Sequence, residues 1–145
     1  MLQRVLNTTF LKYSVLVFCL VWLVYFMLKN EIPTDPGDGI MHFFIAQGSW
    51  HQPELFLHHW GKPFFILISS PFAQFGFNGM VVFNILLFTS TVLIAFRILS
   101  QKGVNNWLQL LFPLILLSAH DTTETILGGL TEPFFNFSLM LALLL

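Results

Sequence analysis

Residues 63–77 read PFFILISSPFAQFGF, and whether this stretch crosses a membrane decides the fold of everything that follows it. It is apolar enough to enter a bilayer, but it runs for only about 15 residues where a spanning helix needs roughly 20. Pro71 lies in its interior and Gln74 near its end. We therefore read it as an interfacial or re-entrant helix that returns to the side it came from. Charge points the same way. With one span before the stretch and one after it, at 80–99, the cations Arg4, Lys12, Arg97 and Lys102 fall on one side, as the positive-inside rule requires. The acids Glu31, Asp35, Asp38, Glu54, Asp121, Glu124 and Glu132, and all the histidines, fall on the other. Were residues 63–77 a span, Arg97 and Lys102 would cross over and the segregation would be lost.

Composition agrees with a membrane setting. The 145 residues are 56% hydrophobic and only 9% charged, where soluble domains carry roughly a quarter charged residues. The chain is thus expected to be all-α, a set of polytopic transmembrane helices whose first outer loop holds short interfacial helices. A net charge of -1 with scattered cations offers no surface for nucleic acid. The single cysteine, Cys19, excludes an intrachain disulfide and reads as lipid-facing or as packing filler.

Four spans are expected, at about 10–28, 80–99, 106–119 and 132–145. In the first, the uninterrupted apolar run 13–28 covers roughly 24 Å, so Phe10, Leu11 and snorkelling lysines must help it to match a core of about 30 Å. Met27-Leu28-Lys29-Asn30 offers no small-x-small cleavage site, so this span reads as a retained signal anchor. The outer loop covers 29–79. Pro33, Pro36, Gly37 and Gly39 break the preceding helix, 40–47 suits a short helix with Asp38 at its start, and a second short element after Pro53 ends in His58-His59-Trp60. Asn84, Thr89, Ser90 and Thr91 mark a packing face of the second span. Pro113 should kink the third. A second outer loop, HDTTETILGGLT at 120–131, leads to Thr131-Glu132-Pro133, a favourable helix start that opens the fourth span. The sequence stops within the apolar run 141–145, with no cap or charge, as expected of the N-terminal piece of a longer polypeptide.

Chemistry concentrates in the loop 34–63, TDPGDGIMHFFIAQGSWHQPELFLHHWGKP. On local pattern alone Asp38 in DPGDG is a turn residue. Lys62 stands on the side where cations are scarce, and Glu132 sits at a helix mouth facing the same compartment, so carboxylates and a lysine have the means to converge at the membrane surface. His42, His51, His58 and His59 with Asp35, Asp38 and Glu54 offer metal ligands, but at a spacing that matches no local zinc motif. No cofactor is called for, and a divalent metal stays as the open alternative. Neither a GxSxG elbow nor a glycine-rich phosphate loop is present. The central portions of the expected spans carry no ionisable residue, which suits an enzyme working at the rim better than a multi-span transporter or assembly subunit.

The order of these features resembles the N-terminal portion of the GT-C superfamily of polytopic glycosyltransferases, which holds protein O-mannosyltransferases and the bacterial aminoarabinose transferase. The likeness rests on a signal-anchor span, an aspartate in GD followed eight residues later by Ala46, a KP motif before a short apolar element ending in FG, a span ending in arginine, and TEP opening another span. It covers nearly all of the chain and looks closest to the dolichyl-phosphate-mannose-type transferases of bacteria. The resemblance implies inverting transfer of a sugar from a polyprenyl-phosphate carrier to a glycan, lipid or protein acceptor, at the periplasmic face of the cell inner membrane. It casts Asp38 as general base, Lys62 as the contact to the carrier phosphate, and Glu132 as an acceptor or donor contact. His42 and His59 become candidate substrate contacts in the same loop. The chain has Gly39 where the family often has a second acid and His42 where tyrosine is frequent, which weighs against a mode that needs paired acids on a metal. The family's full module has further helices beyond this piece.

Overall fold

A computed structural model of the chain describes residues 2–29 and 37–145; Glu31 and Asp35 lie outside them, as do the side chains of Arg4 and His120. Every regular element among the described residues is helical. The order is α1 (Leu2–Lys29), α2 (Asp38–Gly48), a 3-10 turn (Pro53–Leu57), α3 (Pro63–Ala73), α4 (Phe77–Gln101), α5 (Asn106–Ser118), α6 (His120–Leu127) and α7 (Glu132–Leu144). Two helices, α1 over Thr9–Lys29 and α4, are long and apolar enough to cross a membrane, and α5 with α6 makes a third if the bent pair counts as one span. The chain is a polytopic all-α membrane protein.

α4 is the axis of the bundle. In its most apolar window 67% of residues are buried, against 22% for α1. The reason is two apolar stripes at helical spacing. Val81, Ile85, Phe88, Val92 and Phe96 face Leu16, Cys19 and Leu23 of α1 together with Ile126 and Leu127 of α6. Met80, Phe83 and Leu87 face Ile45 and Ala46 of α2 and Phe65, Ile66 and Ala73 of α3. Cys19 is a free, fully buried thiol within the first cluster, so it fills the core.

α3 is short, 11 residues, or about 16 Å at 1.5 Å per residue, and it folds back on α4. Gly76 turns the chain with φ 81°, a conformation that costs glycine nothing. The approach is close enough that a Cβ on Gly79 would lie 2.0 Å from the Phe72 carbonyl oxygen. Phe72 and Phe65 both pack on Phe83, with ring centroids 5.1 and 5.9 Å apart. Pro71 cannot donate to the Leu67 carbonyl four residues back, and the Ser70 hydroxyl donates to it instead at 3.2 Å. With Gly76 making the turn, α4 begins at Phe77, three residues ahead of the expected span.

Opposite ends of the bundle carry opposite chemistry. At one end Lys12 of α1 donates to Gln109 of α5 at 3.0 Å and lies over the Phe96 ring of α4, 4.8 Å from its centroid. Gln109, fully buried, also accepts from Ser100 and donates to the Val104 carbonyl, which locks the α4–α5 turn beside the start of α1. At the other end lie α2, the start of α3 and the α6–α7 turn. Residues 120–127, expected in a loop, form α6, because Ile126 and Leu127 insert into the core beside α4 and hold the segment helical. α7 follows, with Pro133 in its first turn.

Candidate functional site

The residues WGK at 60–62 form a tight turn between the 3-10 segment and α3. Gly61 donates to the His58 carbonyl at 3.0 Å, and a Cβ there would meet Ile66 at 2.7 Å and Ile45 at 2.9 Å, so only glycine lets the turn sit this deep. Proline at 63 disfavours the right-handed helical conformation for the residue before it. Lys62 adopts φ 55°, the one non-glycine residue with positive φ among the described residues. Its carbonyl accepts from Ile66 at 3.1 Å, opening α3, and its ammonium donates to the Thr131 hydroxyl.

Thr131 is buried and immediately precedes Glu132, the first residue of α7, whose side chain is exposed. The α6–α7 turn that presents them is pinned from α4. Asn84, fully buried, donates its amide to the carbonyls of Leu130 at 2.9 Å and Thr125 at 3.3 Å. Gly129 takes φ 70° in this turn, where a Cβ would lie 3.1 Å from the Phe77 ring. Lys62, Thr131 and Glu132 thereby line one groove of about 530 Å³ between α3 and α7, together with Phe64, Phe65, Phe134, Phe135 and Ser138.

Asp38 opens α2, exposed in its first turn, and His42 follows one turn later on the same face. The His42 ring is buried against Phe65 at 5.6 Å between centroids, and its Nε2 lies 3.2 Å from the Trp60 carbonyl oxygen. A carbonyl only accepts, so Nε2 carries the hydrogen and Nδ1 of the neutral ring is a lone pair, buried with no hydrogen-bond partner. Burial, then the nearby Lys62 ammonium, holds the imidazole below its ordinary range, against the Trp60 carbonyl and the carboxylates of Asp38 and Glu132. Asp38, Lys62 and Glu132 are therefore all close enough for their charges to act on one ring.

Four of the five residues singled out in the sequence thus gather at one end of the bundle: Asp38, His42, Lys62 and Glu132. His59 stacks on His58, with centroids 4.9 Å apart, on the outer side of the same turn. Among the described residues no three or more histidine, cysteine, aspartate or glutamate side chains cluster as a metal-ligand set. Sequence reasoning missed Thr131 as the lysine's partner and Asn84 as the anchor of its turn. Of the four polar residues on the packing face of α4, Thr89, Ser90 and Thr91 bond back to Ile85, Leu86 and Leu87 of their own helix, while the Asn84 amide reaches another element.

With His42 neutral, the site holds one cation and two carboxylates beside the N-terminal turns of α2, α3 and α7. Free backbone N–H groups at such helix starts favour an anion, as does Lys62, while exposed carboxylates suit hydroxyl groups. Comparison with known protein families, curated proteins and solved structures finds no match.

Proposed function

We propose that this chain carries the catalytic rim of a glycosyltransferase that moves a sugar from a polyprenyl-phosphate carrier to an acceptor hydroxyl, with inversion, at the outer face of a bacterial inner membrane. The observation that carries the reading is the phenylalanine-walled groove that Lys62, Thr131 and Glu132 also line. A donor of this class joins an apolar tail, a phosphate and a sugar, and the groove's lining supplies an apolar wall, a cation and a carboxylate. Asp38 stands on the same side of the bundle and supplies a base.

In the proposed step the acceptor oxygen bonds to the anomeric carbon as the bond from that carbon to the phosphate oxygen breaks. The electron pair leaves with the phosphate, where Lys62 offsets the developing charge. The acceptor proton passes to the Asp38 carboxylate. Glu132 and the exposed His59 contact the sugar or the acceptor. No cofactor enters this scheme.

The test is transfer of label from polyprenyl-phosphate sugars in membranes carrying the chain, comparing wild type with Asp38→Asn and with Glu54→Gln, an exposed acid of the 3-10 segment in the same loop. Removal of a general base should cost about 10²- to 10⁴-fold, so Asp38→Asn should lose transfer at normal insertion levels while Glu54→Gln keeps it. Equal transfer in all three removes Asp38 from the mechanism. No transfer by wild type from any sugar donor tested would turn the assignment toward a transporter or assembly subunit.

A further inference from the structure

We propose that His42 is the positioning residue for Lys62: its Nε2–H, donated to the Trp60 carbonyl, holds the WGK turn in the one backbone conformation that delivers the lysine ammonium to Thr131 and the groove. The role assigned to Lys62 rests on the function proposed above, but the clamp itself does not.

Three observations converge on the turn. First, Lys62 sits at φ 55°, where a side chain is disfavoured and persists only if its surroundings impose it. Second, the turn is held at its two ends by different parts of the chain. Upstream, the Trp60 carbonyl meets His42 of α2; downstream, the lysine's own ammonium meets Thr131, whose turn hangs on Asn84 of α4. Third, His42 is 3% exposed and its ring packs edge-on against Phe65. A buried polar ring with one nitrogen left without a partner is costly in a core, and an apolar side chain would fill the space at lower cost. What the imidazole adds is a donor at the reach of a carbonyl two residues before Lys62. The charges facing the ring are those of Lys62, Asp38 and Glu132, so the clamp lies within the site's own field.

Lys62 reactivity reads the clamp without requiring any transfer activity. The full chain in phosphatidylcholine nanodiscs is acetylated with a membrane-impermeant N-hydroxysuccinimide ester, and the rates at Lys62 and at Lys102, exposed at the opposite end, are followed by mass spectrometry. In His42→Ala, Lys62 should react about fivefold faster, the factor by which loss of one ordinary hydrogen bond shifts an opening equilibrium, with Lys102 unchanged. His42→Gln, whose amide nitrogen reaches about as far as Nε2, should return Lys62 to the wild-type rate. A wild-type rate in His42→Ala overturns the proposal, and so does a fast rate in His42→Gln, which would leave only ring packing as the role. Should His42→Ala not fold, nitrogen-15 spectra of histidine-labelled wild type decide: a neutral ring protonated at Nε2 is required, and one protonated at Nδ1 has nothing to donate to Trp60. Failure of sugar transfer with an intact clamp would reject the enzymatic reading alone.

Discussion

His42 lies among three charges and out of water, and this sets a pH dependence that belongs to the residue itself. Its folded ring binds a proton less readily than an ordinary imidazole, through burial and the Lys62 ammonium. The unfolded chain therefore takes up the proton first as the pH falls. The stability tied to the neutral ring is present above about 6.5, the ordinary imidazole value, and is lost as pH falls below it toward the ring's own lower value. Thermal unfolding in nanodiscs between pH 8 and pH 5 should show wild type losing stability across that window and His42→Gln losing less, the difference isolating this ring from the other histidines. A wild-type curve parallel to that of His42→Gln would mean the ring is not held neutral. Lys62 and Glu132 were legible in the sequence because a charge in so apolar a chain stands out, whereas Asp38 is set apart from the other acids only by the family resemblance. Thr131 and Asn84 were not, because a neutral polar side chain declares its partner only when another element arrives beside it.

At the scale of the element, the hairpin of α3 on α4 decides where the site sits, and the sequence carried half of this. Length, Pro71 and the charge segregation were enough to keep residues 63–77 from being read as a span. The closeness of the packing was not readable, since Gly79 looks like any glycine near a helix start until Phe72 is placed over it. Its consequence is a sharp asymmetry between two neighbouring positions on α4. Gly79→Ala drives a methyl into a backbone carbonyl 2.0 Å away, which cannot swing aside as a side chain would, so the cost should reach the upper end of overpacking, about 3 kcal/mol. Val82→Ala, on the exposed face of the same helix, should change stability by less than about 0.5 kcal/mol. Unfolding midpoints in a denaturing-detergent titration compare the two. Similar midpoints for both would show that α3 does not lie against α4 at Gly79. α6 was missed for a related reason: its sequence, HDTTETIL, is mostly polar, and only Ile126 and Leu127 anchor it to the core.

At the scale of the whole molecule, the two polar clusters define a direction through the membrane. Within a bilayer, lipid tails compete with apolar side chains, so helix association leans on close packing and on buried hydrogen bonds. The bundle places such bonds at its ends: Lys12 to Gln109 at one, Asn84 and Lys62 to the α6–α7 turn at the other. Lys12 was read in the sequence as a flanking topological charge, and it also fastens α1 to α5. If α3 turns back, the WGK turn and the α4–α5 turn face opposite sides of the membrane; if α3 crossed, both would face the same side. Single cysteines at His59 and at Lys102, each exposed, in a Cys19→Ser background separate these cases. In sealed vesicles an impermeant maleimide should label one of the two from outside and the other only after the vesicles are opened. Labelling of both from the same side would make α3 a span, carry Lys102 to the face that holds Lys62, and undo the separation of acids from cations on which the placement of the site depends.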